Sequence, residues 1–237
     1  MGALNGKQAL VLGGSRGIGA AIAERLAHDG ASVTLTYQGS AEAANALAQR
    51  IGGRAVQADS ADRDALTSLI EAQSALDVLV INAGVLVMGD ALALDANAID
   101  HMIDVNTRAP YHASVAAARV MKEGGRIIII GSVNADRMPF AGGAAYGMTK
   151  SAVQGIVRGL ARDFGPRGIT INNVQPGPVD TDMNPADGPM RDAMHSFMAI
   201  QRHARPDEVA GLVAYLAGPE AAMVTGAQLT IDGGFGA

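Results

Sequence analysis

The sequence predicts an α/β protein: a single domain on a doubly wound parallel sheet of about seven strands, with helices on both faces. Three observations carry that expectation. Short apolar runs alternate with helical stretches along the whole chain, the pattern of repeated βαβ units. The first run passes straight into a glycine loop and then into an Ala-rich amphipathic segment. A chain of 237 residues with 49% apolar side chains suits one sheet covered on both sides.

Gln8-Ala9-Leu10-Val11-Leu12 is the first strand, short and apolar enough to be buried. Gly13 to Gly19 form the loop, and a helix over 17–29 follows, with Gly30 as its C-cap. Apolar runs then place strands at 32–37, 54–58, 78–82, 125–131, 170–175 and 227–231. Between them fall helices near 41–51, 61–74, 99–121, 146–164 and 206–217. No linker or internal repeat interrupts the series, so residues 1–237 are expected to form one dinucleotide-binding and catalytic domain. The stretch Asp182 to Arg205 carries Met183, Met190, Met194, Met198 and Phe197 among prolines and glycines. It reads as a substrate lid near 182–205, since methionine packs adaptably and lids exclude water, or as a plain surface helix with Met on its core face.

In such a sheet the ligand lies beyond the carboxyl ends of the strands. Gly13 follows the first strand, Asp59 the third and Pro176 the sixth, while Asn82 ends the fourth and Ser132 the fifth. Residues scattered over the chain thus meet at one edge. Gly13-Gly14-Ser15-Arg16-Gly17-Ile18-Gly19 lies between strand and helix, a Rossmann-type setting in which glycines let a pyrophosphate approach backbone N–H groups at the helix N-terminus. The plainer reading is a glycine-rich turn.

Tyr146-Gly147-Met148-Thr149-Lys150, with Ser132 fourteen residues upstream, supplies a phenol, an amine and a hydroxyl. Positions i and i+4 share a helix face, so the Lys150 ammonium reaches the neighbourhood of the Tyr146 oxygen. A free tyrosine titrates near pH 10, and a cation beside it lowers that value. Alone, a Tyr and a Lys at this spacing are more often a surface pair.

Six motifs in order make the chain resemble the short-chain dehydrogenase/reductase family, of the compact type. They are Leu12 to Gly19 (with Leu12 where the family has Thr), Ile81-Asn82-Ala83-Gly84, Asn106 within Val105-Asn106-Thr107, Gly131-Ser132-Val133, Tyr146 to Lys150, and Pro176-Gly177-Pro178-Val179-Asp180-Thr181. The resemblance covers nearly the whole chain. It implies that Tyr146 is the acid–base, that Lys150 lowers its pKa and holds the nicotinamide ribose, and that Ser132 hydrogen-bonds the substrate oxygen. Asn106 would support a water leading protons to Lys150; without the other three it reads as a helix-interior residue bonding locally. For the cofactor it implies pyrophosphate contacts from Gly13, Ser15, Gly17, Ile18 and Gly19, and adenine contacts from Asp59 and Ser60. Asn82, Ala83 and Gly84 would line the wall behind the adenosine ribose. Pro176 and Gly177 would rigidify the turn beneath the nicotinamide, whose carboxamide Val179 and Thr181 would hold. The second strand ends Tyr37-Gln38-Gly39-Ser40, with Tyr37 where an NAD-selecting acid would stand. Arg16 can bind a 2′-phosphate, with Ser40 adding a hydroxyl, so NADP(H) is expected rather than NAD(H); otherwise Arg16 is a solvated loop residue. Arg108 to Val115, Asn134 to Pro139 and Asn184 to Asp192 resemble a bacterial subgroup of biofilm-dispersal mediators that bind cyclic di-GMP.

Composition excludes other classes. There are 18 basic and 23 acidic residues, a net charge of −5 without a basic block, so nucleic acid is not the expected partner. The chain has no cysteine, which removes disulfide and thiolate chemistry. His28, His101, His112, His195 and His203 lack metal-ligand spacing, and no metal is expected. No apolar run approaches the roughly 20 residues of a membrane span, and Met1 to Lys7 does not read as a secretory leader, so a cytoplasmic protein is expected. Two functions follow. One is an NADP(H)-dependent reductase of ketones or aldehydes, working reversibly on the alcohol. The other is a regulatory nucleotide-binding protein that sequesters cyclic di-GMP and promotes biofilm dispersal. The resemblance also implies a homotetramer. Ala109, Ala113, Ala116, Ala117 and Ala118 in one helix, and Ala152, Gly155 and Gly159 in another, permit close helix approach across a symmetry axis, or pack within one chain. The tail Thr230 to Ala237 suits docking on a neighbour.

Overall fold

In the computed structural model, which describes residues 2–73 and 75–237, seven strands form one parallel sheet. They are β1 (Gln8–Leu12), β2 (Ser32–Tyr37), β3 (Arg54–Gln57), β4 (Val78–Ile81), β5 (Arg126–Ile130), β6 (Thr170–Pro176) and β7 (Gln228–Ile231). Their order is β3-β2-β1-β4-β5-β6-β7, so the direction of winding reverses between β1 and β4. β1 is an interior strand: Leu10 sits opposite Thr34 on one side and Leu79 on the other.

Alternate residues of each strand feed two cores. Val11, Val80, Ile128 and Val174 point to one face, where α1 (Gly17–His28), α2 (Ala41–Ile51) and α8 (Pro206–Ala217) cover them. Leu10, Leu12, Leu79, Ile81, Ile127, Ile129 and Ile171 point to the other, under α3 (Arg63–Glu71), α5 (Ala109–Val120) and α6 (Ala144–Phe164). Burial on both faces is why these strands read as unbroken apolar runs. The one-domain layout expected from the sequence is the one observed.

Several boundaries differ from expectation. The helix expected over 99–121 starts at Ala96 as α4 (Ala96–Ile103), because the Asp95 carboxylate accepts from Asn97 N and Ala98 N. It then passes through a π-helical turn, Asp104–Arg108, into α5. The helix expected over 61–74 is capped by Asp62 and runs only from 63 to 71; Ser74 lies outside the described residues, as does Met1. Arg191–His195 form a short helix, α7, inside the expected lid. The tail folds back on its own chain. Phe235 is buried with Val133 and Met198, and Arg137 Nη1 donates to the carbonyls of Phe235 and Ala237 at 2.7 and 3.0 Å. Among the described residues, no helix is long and apolar enough to cross a membrane.

Candidate active site

A cleft of about 480 Å³ opens at the carboxyl ends of the strands, where the winding reverses. Gly13 (φ +72°) turns the chain out of β1, and its N–H donates to Thr36 Oγ1 at 3.0 Å. Leu12 is a core residue, so the threonine hydroxyl here comes from β2 instead. Gly19 lets α1 close on the loop: a Cβ there would stand 2.1 Å from the Gly13 carbonyl oxygen. Asn82 Nδ2 donates to that same oxygen at 2.8 Å. Arg16 is the N-cap of α1 without capping it through its side chain, and the first turn holds no acid. The free N–H groups and the helix dipole therefore favour an anion.

Along the cleft, Ser15, Arg16, Gly17 and Ile18 face Tyr37, Gln38 and Ser40 at the end of β2 and Asp59 and Ser60 beyond β3. No carboxylate terminates β2. Arg16 Nη1 lies 3.6 Å from Asp182 Oδ2, across the mouth of the cleft. Asn82, Ala83, Gly84 and Thr181 complete the wall, and Tyr146 and Lys150 close the far end.

Lys150 is buried, with Nζ donating to the Ile130 carbonyl at 3.1 Å and lying 5.8 Å from the Tyr146 ring centroid. Burial pulls its pKa down to about 8. The Tyr146 phenol moves the other way from the expected direction. Burial pushes it above the ordinary tyrosine value, and hydrogen bonding with Ser132 opposes the rise only in part. The expectation that Lys150 leaves Tyr146 with a lowered pKa therefore does not hold for the protein alone, because desolvation of the phenolate dominates. Asn106 sits in the π-helical turn. Its Oδ1 accepts from Val85 N at 2.9 Å, and its Nδ2 donates to Val85 O at 2.9 Å and Thr149 Oγ1 at 3.1 Å. It thus braces the loop after β4 against α6 beside Lys150.

Four residues expected to touch the cofactor do not line the cleft: Gly19, Pro176, Gly177 and Val179. Gly19 packs helix on loop. Pro176 ends β6, Gly177 N donates to Ile231 O at 3.0 Å, and Val179 is a core residue bridged to Ala204. They shape the wall from behind. The sequence reading missed Thr36, Gly39, Ala58, Val85, Val105, Ile130 and Gly131 as cofactor contacts and placed Asp182 and Met183 only in the lid; all line the cleft. Ile130 and Gly131 were findable as the end of a strand aimed at the site, and Asp182 and Met183 as the start of the Met-rich segment.

A dinucleotide with a 2′-phosphate fits this donor set: a helix N-terminus for the pyrophosphate, Arg16 for the extra charge, and no acid after β2 to repel it. The comparisons agree. The family model described as Enoyl-(Acyl carrier protein) reductase matches residues 13–236. The cyclic-di-GMP-binding biofilm dispersal mediator protein of Escherichia coli (strain K12) is 66% identical over 237 residues, covering 100% of both chains. The crystal structure of BdcA in complex with NADPH aligns with a TM-score of 0.98 at 66% identity, over 100% of this chain and 97% of that one. A short chain dehydrogenase from Burkholderia cenocepacia J2315 in complex with NADP aligns with a TM-score of 0.97 at 53% identity, over 99% of this chain and 100% of that one.

Proposed function

This chain belongs to the short-chain dehydrogenase/reductase family and is an NADP-dependent oxidoreductase, and on that premise we propose that it reduces a ketone or aldehyde to the alcohol. The observation that carries the proposal is Tyr146 and Lys150 at one end of the cofactor cleft, with Ser132 beside the Tyr146 phenol. The α1 N-terminus and Arg16 would hold NADPH in the cleft, where it would supply the hydride for the carbonyl carbon. Tyr146 supplies the proton. Its burial keeps the phenol protonated at neutral pH, which suits the reducing direction. Ser132 holds the carbonyl oxygen as it gains negative charge. Lys150, titrating near 8, is mostly ammonium at pH 7 and stabilises the phenolate left behind. Asn106 keeps the β4 loop in register with α6, and the segment 182–205 closes over the substrate. The setting is cytoplasmic and the assembly a homotetramer.

A second reading is favoured by the 66%-identical relative, a cyclic-di-GMP-binding protein: binding of cyclic di-GMP. The same α1 N-terminus and Arg16 suit a phosphate group of either ligand, so the two would compete for the cleft.

A panel of ketones and aldehydes followed by loss of NADPH absorbance tests the first reading. Tyr146→Phe should lower kcat at least about a hundredfold with NADPH affinity nearly unchanged. A variant that keeps most of its turnover removes Tyr146 from the role. Cyclic di-GMP that leaves the NADPH dissociation constant untouched removes the shared cleft.

A further inference from the structure

The end of the cleft that holds Tyr146 differs in chemistry from the end that holds Arg16. Around Tyr146 and Lys150 the lining is Val85, Val105, Ile130 and Met183. Two loops carry that apolar lining out to the surface. One follows β4. Its Gly89 N–H donates to the Gly142 carbonyl at 3.0 Å, in the turn that leads into α6. A Cβ at Gly142, where φ is +85°, would lie 3.1 Å from the Gly89 oxygen, so glycine lets the two loops touch. That contact brings Leu86 and Met88 alongside the first turn of α6, which carries Tyr146. The other loop, after β6, brings Met183. Leu86, Met88 and Met183 are 41, 44 and 56% exposed, large apolar side chains left in water at the mouth of one cleft.

The polar groups nearby are already engaged. Asn106 spends its oxygen and both amide protons on Val85 and Thr149. Lys150 donates to the Ile130 carbonyl and faces the Tyr146 ring. Asp136 is taken up by the amides of Gln154 and Gln175. Arg137 turns to the tail carbonyls and lies 5.5 Å over the Phe197 ring. Arg16 pairs with Asp182 at the other end, and Arg191 stands 3.9 Å from Asp192. On the loops that frame the mouth, Asp90, Asp182, Asp187 and Asp192 are all exposed, with Arg191 alone of lysines and arginines among them.

A carboxylate or phosphate entering here gives up water, finds no unpaired cation at the mouth among the described residues, and meets acids of its own sign. An alkyl or aryl group gains by leaving water and covers apolar surface. We propose that the substrate is an uncharged, apolar ketone or aldehyde whose alkyl or aryl part lies between Met88 and Met183, and that carboxylate and phosphate compounds are rejected. Met88 and Met183 are then specificity-determining residues. Their unbranched thioether chains adapt to differing outlines, so selection is by charge and polarity more than by shape.

This assignment rests on the carbonyl-reductase reading for the place of the reacting oxygen, and the two can fail separately. Calorimetric titration of the protein saturated with NADP⁺ reads affinity without turnover, because the oxidised cofactor has no hydride to give. Para-ethylacetophenone and para-acetylbenzoate are similar in size and differ in charge. The neutral ketone should bind at least about tenfold more tightly. Met88→Ser and Met183→Ser should each weaken it about three- to tenfold, the scale of one or two methylenes partly buried. Met223→Ser, the same change at an exposed methionine outside the cleft lining, should leave it alone. NADP⁺ affinity, measured first in each variant, shows that fold and cofactor end are intact. Carboxylate binding as tight as the neutral ketone's, no measurable binding of the neutral ketone, or Met88 and Met183 variants that bind it like the parent overturns the proposal. A ketone that binds with this preference while NADPH reduces no carbonyl compound would sink the reductase reading and leave the apolar site standing.

Discussion

Burying Lys150 costs free energy that its bond to the Ile130 carbonyl does not recover, and that cost has a pH signature. In the folded protein it titrates near 8, against 10.5 ordinarily, so the unfolded chain holds the proton more tightly. The penalty is full below pH 8 and disappears as pH rises from 8 to 10.5. Without ligand, Lys150→Met should be more stable than the parent at pH 7 by about 2–3 kcal/mol, and the gap should close over that window. Urea denaturation across pH measures it, and a gap independent of pH refutes the account. The site thus trades stability for a cation beside Tyr146. A second residue makes a second prediction. Arg16→Ala should weaken NADPH by about 1.5–3 kcal/mol and NADH much less, the worth of a charge-assisted bond to the phosphate that NADH lacks. Equal losses in isothermal titration would show that Arg16 does not read it. Asp182, now paired with Arg16, competes with that phosphate, so Asp182→Asn should shift preference toward NADPH. The proton-transfer residues were legible in the sequence because Tyr146 and Lys150 lie one turn apart and Ser132 ends a strand. The Thr36 bond to Gly13 and the pairing of Arg16 with Asp182 were not, because each is a contact that only the folded chain creates.

Strands were the most legible elements. β5, Arg-Ile-Ile-Ile-Ile, is apolar on both faces because helices cover both. The turn at Asp104–Arg108 was illegible, since a π-helical turn has no composition of its own, yet it carries Asn106. The segment after β6 was read only as Met-rich, and its internal fastening is a histidine pair. His195 Nε2 and His203 Nδ1 lie 2.8 Å apart, one donating and one accepting. His203 is 5% exposed, and its Nε2 has no hydrogen-bond partner among the described residues. Burial first, then His195, lower its pKa; Asp180 pulls it up, and Arg191 adds a smaller downward push. A folded pKa below the unfolded 6.5 means that the unfolded form gains protons first, so this segment loses stability as pH falls from 6.5. Hydrogen exchange over 182–205, corrected for intrinsic rates, should speed up at about pH 5.5 relative to about pH 7.5. The His203→Phe variant should lose that difference; a parent with equal protection at both values refutes the latch.

At the scale of the whole molecule, the sheet order brings the ends of β1, β4 and β5 together, which is why motifs more than a hundred residues apart share one cleft. That convergence was legible because the strand count and the parallel direction followed from apolar runs alone. Assembly was legible only in part, since a small residue reads alike whether it packs inward or outward. Ala113, Ala116 and Ala117 of α5 turn out to be fully buried against their own sheet, and the tail is bound by its own Arg137. α6 differs. A Cβ added at Gly155 or Gly159 meets nothing within 4 Å, and Met148, one face with them at helical spacing, is 52% exposed. A second α6 can approach this strip closely, and a two-fold axis through it would make a self-complementary contact. Among the described residues β7 has a partner on one side only, so its outer edge and Tyr215 of α8, 43% exposed, would supply the second contact that a tetramer needs. Light scattering after size exclusion at micromolar protein should give a multiple of the 24.1 kDa chain. A monomer mass ends the idea, and a dimer leaves one contact. Gly155→Leu separates interface from fold. In an isolated chain it replaces a helix glycine by a good helix former over open space, a gain of about 0.5–1 kcal/mol. Across the axis the same side chain would collide with its copy. The variant should therefore dissociate to smaller species while its subunit keeps or gains stability; an unchanged mass would move the axis away from α6.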